Sequence, residues 1–251
     1  MSSQEPSELR IRAVAIPLAL ALAWLAVRVA PPATRMVTMW VHESGHAATA
    51  WLCGYVAFPG PWFTPVSGSR SWGVTLLVVA GLGAGARFAW RENEWGWSLA
   101  AASTLLLVLY CTFALTTFSA EALVTFMGDG GCFVLGSLLM LTIYVPPDHP
   151  LRSGGVCWGL LALGALAFAD AAHVWSGDVM RIPFGENGNG LSDPSVLTEI
   201  HQWTLQTMLR RYGLIKWACL VGLGVAYAAG LATVNAAIEG TDDQRWPAAR
   251  S

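Results

Sequence analysis

The stretch "EALVTFMGDGGCFVLGSLLM", residues 121–140, sets one acid, Asp129, among Gly128, Gly130 and Gly131 at the head of a long apolar run. A run of about 20 apolar residues is long enough to cross the hydrocarbon layer of a membrane. The same signature recurs at 11–30, 72–90, 96–118, 122–146, 153–175 and 213–237, and 34–57 is a seventh candidate interrupted by its own polar residues. With 55% hydrophobic and only 12% charged residues, the 251-residue chain reads as an integral membrane protein. The expected fold is all-α: a polytopic bundle of about 6–7 transmembrane helices forming a single membrane-embedded domain over 1–251. Around Asp129 the glycines are expected to break the helix and let a neighbouring backbone come close, with Asp129 acting as a helix cap, as a ligand, or as both.

Charge and cysteine content narrow the classes. A net charge of −2 without any basic block argues against a nucleic-acid partner. The five cysteines lie in or beside apolar runs and form no C-x-x-C pair, so they read as small buried hydrophobes. The run "AVAIPLALALAWLAV", 13–27, is long, lacks a clean small-x-small cleavage site and reads as an uncleaved first helix. Lys and Arg divide evenly across the alternating loops, which leaves orientation open.

Two polar interruptions stand out. "FPGPWFTPVSGSRSW", 58–72, carries Pro59, Pro61 and Pro65, so it is expected to be an extended or re-entrant loop. From 176 to 212 a polar loop leads to Asp193, read as an N-cap, and Pro194 at the first helical position. Leu197, Ile200, Leu205, Met208 and Tyr212 then form the apolar stripe of an expected interfacial amphipathic helix ending before Gly213.

The chemistry concentrates in "VHESGHAATAW", 41–51. On a helix His42 and His46 are four apart and share a face, so both imidazoles reach one metal ion, with Glu43 beside them as general base. Ionisable groups at membrane depth are costly and therefore candidates for function. Ser44, Gly45, Ala47, Ala48 and Ala50 allow another helix to approach closely. Zinc needs a third protein ligand and an open position. Asp129 is the first candidate, and Asp170 and His173, three apart in "FADAAHVW", are the competing pair. Glu121, eight residues before Asp129, either lines the same cavity or marks a helix end. His149, His201, Glu186, Asn187 and Asn189 read as turn or surface residues.

His42, Glu43, His46 and the distant Asp129-Gly130 pair resemble the site-2 protease family of intramembrane zinc metalloproteases. That family's second motif reads N-x-x-P-x-x-x-L-D-G. This chain keeps Asp129 and Gly130 and has Glu121, Val124 and Gly128 at the Asn, Pro and Leu positions. The resemblance covers about 32–146, a metalloprotease-like core. It implies one zinc per chain on His42, His46 and Asp129, with Glu43 as catalytic base. It also implies hydrolysis of peptide bonds in or near membrane-spanning segments of a substrate protein, in a multi-pass protein of a bacterial-type cell membrane. A non-catalytic metal-binding scaffold or transporter is the competing expectation.

Overall fold

The computed structural model describes residues 5–145, 149–188 and 190–245. Its helices are α1 (Glu5–Val29), α2 (Pro31–Leu52), α3 (Trp72–Arg91), α4 (Trp95–Leu109), α5 (Thr117–Leu141), α6 (Val156–Val174), the single turn α7 (Asp193–Ser195) and α8 (Leu205–Arg245). Two short antiparallel pairs, β1 (Tyr55–Ala57) with β2 (Val66–Arg70) and β3 (Glu186–Asn187) with β4 (Gly190–Leu191), are the sheet content of the described residues. Among the described residues, six stretches are long and apolar enough to cross a membrane: Glu8–Val29, Trp72–Arg91, Trp95–Ala114, Thr117–Tyr144, Val156–Val174 and Leu205–Thr233. They match the six apolar runs of the sequence, and the protein is an all-α, multi-pass helical bundle. The seventh candidate folds as α2 and then β1, its polar residues keeping it outside that set.

The chain divides into two compact units. The first takes its residues from Met1–Thr38, Cys132–Asp178 and Arg210–Ser251. Within it α1 packs on α6, burying Ala15, Ile16, Ala23 and Val27 of the one and Cys157, Leu161, Ala165 and Ala169 of the other. Glu8 receives both guanidinium nitrogens of Arg152 and Nε of Arg12, which pairs all three charges at the edge of the membrane span. Asp170, buried near the C-terminal end of α6, accepts from Arg35 Nη1 at 3.0 Å and from Thr38 Oγ1 at 2.8 Å.

The second unit comprises Met39–Gly131 and Val179–Leu209. Ala47, Ala50, Cys53, Tyr55, Ala57, Cys111, Ala120 and Val124 form its core. The proline-bearing stretch 58–65 links β1 to β2, so the expected extended segment is realised as a hairpin loop. Thr64 ties that loop to α2 by donating to the Glu43 carbonyl at 2.9 Å. After α4 the chain relaxes into a π-turn, Tyr110–Ala114, whose freed carbonyls Arg70 collects: Nη1 donates to Thr112 O and Nη2 to Leu115 O.

Two expectations fail. The glycines around Asp129 do not break the helix, because α5 runs unbroken from Thr117 to Leu141. In hydrocarbon the internal hydrogen bonds are obligatory, and a missing side chain serves packing rather than a turn. Nor is there a separate amphipathic helix: α7 passes into a π-turn, Val196–Ile200, then breaks at His201–Thr204 with Gln202 at φ +56°, and Leu205 already starts α8. Gly213 lies inside α8, where the hydrophobic gain of a continuous span outweighs the roughly 1 kcal/mol helix penalty of one glycine.

Glycine is irreplaceable where α2 meets α5. A Cβ on Gly131 would lie 2.5 Å from Gly45 Cα, and one on Gly45 would collide with the Met127 carbonyl. Gly131→Ala is expected to destabilise the protein by about 1–3 kcal/mol through overpacking. Gly81→Ala in α3, where a Cβ meets open space, should be neutral or mildly stabilising. Thermal unfolding of both variants in detergent checks the contrast.

Candidate metal centre

The centre belongs to the second unit and is built by α2, α5 and the α7 turn. His42 and His46, one turn apart on α2, are both buried and present Nε2 atoms 3.2 Å from each other. Their Nδ1 atoms are held from α5. His46 Nδ1 lies 2.8 Å from the Val124 carbonyl, and His42 Nδ1 lies 2.9 Å from Asp129 Oδ1. A carbonyl only accepts, so Nδ1 of His46 carries the proton, and the Asp129 carboxylate imposes the same tautomer on His42. Both Nε2 atoms are thereby left with lone pairs pointing at one another.

Asp193 closes the figure. Its Oδ2 is 3.0 Å from His42 Nε2 and 3.1 Å from His46 Nε2. Three electron-pair donors thus stand within 3.2 Å of one another, an arrangement that repels itself unless a cation sits among them. A tetrahedral ion with bonds of about 2.0–2.1 Å separates its ligands by roughly 3.3 Å. The triangle fits that measure, and the group can hold a metal ion.

Gly128 makes the room. A Cβ there would lie 2.6 Å from both His42 Cε1 and His46 Nε2, so the α5 backbone passes directly over the imidazoles. Glu43, next on α2, is buried, and its carboxylate has neither hydrogen bond nor ion pair among the described residues.

The placement of the other candidates follows. Asp129, expected as third ligand, lies against Nδ1 of His42, and the acid that meets both Nε2 atoms is Asp193, read from sequence as a helix cap. Asp193 does begin a helix, at its first position rather than as the cap, which is Ser192. Its 151-residue separation from His42 left no local spacing signal. Asp170 is held by Arg35 and Thr38, and His173 meets the Trp24 ring edge-on. Glu121 is exposed, and His149 accepts from Leu151 N as a helix cap. Glu186 and Asn187 form β3, and Asn189 lies outside the described residues. Comparison with protein-family models, with curated proteins and with solved structures returns no match.

His201 anchors the segment that carries Asp193, packed 4.6 Å from the Phe118 ring with its Nδ1 buried and unbonded. Burial pushes its pKa below the ordinary 6.5, with Glu121 opposing. The unfolded state then binds the extra proton, so this residue's contribution is intact above about pH 6.5 and is lost as pH falls below it. His201→Phe should flatten that part of the stability–pH curve, measured by unfolding between pH 5 and 8. For the metal, His42→Ala and Asp193→Asn are expected to abolish retention. Asp129→Asn should weaken affinity by about 10–100-fold, as for loss of a group that orients a ligand. Metal analysis of the purified variants tests this ranking.

Proposed function

We propose that the protein is an intramembrane zinc metalloprotease, similar to the site-2 proteases, that hydrolyses peptide bonds in or near transmembrane segments of other membrane proteins. The observation that carries the reading is the convergence of His42 Nε2, His46 Nε2 and Asp193 Oδ2, with Glu43, the residue after His42 on α2, buried and without a side-chain hydrogen bond or ion pair among the described residues. In this reading His42, His46 and Asp193 hold one zinc ion, and Asp129 fixes the orientation and tautomer of His42. When bound, zinc supplies Lewis acidity and draws the pKa of its water towards about 7.

The remaining steps belong to the chain. Glu43 follows His42 directly and precedes His46 by three, so its side chain leaves α2 on the flank of the face that would hold the ion. There it takes the proton of the attacking water and returns it to the leaving amine. A residue with this duty must be ionised and unpaired, and a structural ion pair would disable it. A membrane helix hides its carbonyls in its own hydrogen bonds, so a substrate must be unwound before cleavage. The β1–β2 hairpin supports that need: it follows α2 immediately, and Thr64 fastens its loop to the Glu43 carbonyl. We assign this hairpin as the element that holds the extended substrate.

Glu43→Gln preserves size and hydrogen bonding and cannot accept the proton. Zinc content is expected to stay at about one per chain while cleavage of a co-expressed membrane-helix substrate falls about 100-fold or more. Equal processing by both forms, or no cleavage across a broad panel of such substrates, would give preference to a non-catalytic metal-binding role.

A further inference from the structure

The second unit also holds a groove remote in sequence from the metal centre. Between α3 and α4, near the turn that joins them, an open groove of about 400 Å³ is lined by Arg87, Trp90, Trp95, Ser98, Leu99 and Ala102 among others. The lining is graded along the helix axes. Close to the turn stand the two indoles, whose rings meet at 4.3 Å, and Arg87, next to Ala86, lies level with Ser98 about one turn deeper. One to two turns further into α4 the wall is Leu99 and Ala102. Ser98 is spent on the Ala86 carbonyl and closes the floor between the helices.

Both helices are membrane spans, so paired tryptophans at their ends mark the depth of the lipid headgroups. Arg87 is exposed and forms no ion pair or hydrogen bond among the described residues, although Glu92 and Glu94 lie in the adjoining turn. An unpaired guanidinium within about a turn of headgroup depth calls for a bidentate anion, which a lipid phosphate provides. No acidic side chain lines the groove, so nothing within it offsets the Arg87 charge, which favours a headgroup of net negative charge over a zwitterionic one.

We propose that this groove seats one anionic phospholipid, its phosphate on Arg87 beside Trp90 and Trp95 and an acyl chain along Leu99 and Ala102. The site is independent of the metal reading. It fixes the α3–α4 hairpin against a lipid of defined charge, and so places the α3–α4 turn in a leaflet that contains such lipids.

Native mass spectrometry of the intact protein in detergent, titrated with phosphatidylglycerol, tests the assignment. One retained lipid per chain is expected in preference to phosphatidylcholine. Arg87→Gln should weaken retention about fivefold, the equivalent of ~1 kcal/mol for one basic contact at a membrane surface. Arg87→Lys should keep most of the affinity, and Arg28→Gln, on α1, should change nothing. Glycerol 3-phosphate in millimolar excess should fail to displace the lipid. Equal retention of phosphatidylglycerol by wild type and Arg87→Gln would overturn the site. Indifference between the two lipids, or displacement by glycerol 3-phosphate, would overturn its anionic-lipid identity.

Discussion

The backbone contact between Gly45 of α2 and Gly131 of α5 is the constraint on which the rest of the second unit depends. It exists only because neither position carries a Cβ. Gly128, Gly130 and Gly131 together cost α5 about 3 kcal/mol of helix propensity relative to alanine. In water such a cluster would fray the helix. In a membrane the alternative is unsatisfied backbone groups, so the helix persists and the vacant surface is used for close approach. That approach brings the Val124 carbonyl and Asp129 within reach of the two imidazoles, and lets Gly128 pass over them.

Once the helices are this close, electrostatics follows from hydrogen-bonding roles. Val124 O and Asp129 take the Nδ1 protons, and this leaves the Nε2 lone pairs facing the Asp193 carboxylate. Each choice is forced by its partner: a carbonyl cannot donate, and an ionised carboxylate cannot donate either. The remaining three-atom convergence is stable with a proton or a metal ion at its centre, and its dimensions suit a tetrahedral metal. A bound ion would also link α2 to the segment bearing Asp193, making metal affinity part of the stability of the second unit. Without it that segment relies on smaller contacts, such as Ser195 Oγ accepting from Gly185 N and the rings of Phe118 and Phe126 against His201 and Trp203.

Two of the buried acids outside the triangle, Asp170 and Glu43, show how environment divides like residues. Asp170, in α6, is neutralised by Arg35 and bonded by Thr38, and so is explained as a structural pair. Glu43 has no such compensation among the described residues, and an uncompensated carboxylate at low exposure is costly to keep.

Much of this was legible in the sequence. Hydrophobic length is a one-dimensional property, so all six spans could be read from runs of residues alone. Helical periodicity is equally local, and the placement of His42, Glu43 and His46 on one turn of α2 followed from their spacing. The proline-bearing stretch was read as extended for the same reason, because proline removes its own N–H donor wherever it sits. Asp129 was expected to meet the histidines, and it does meet His42, but which ring nitrogen it meets depends on how α5 lies against α2, and no spacing encodes that. Asp193 was visible only as the start of a helix. Its partner lies 151 residues away, and a contact between distant residues is fixed by tertiary packing, which no local pattern of hydrophobicity or capping records.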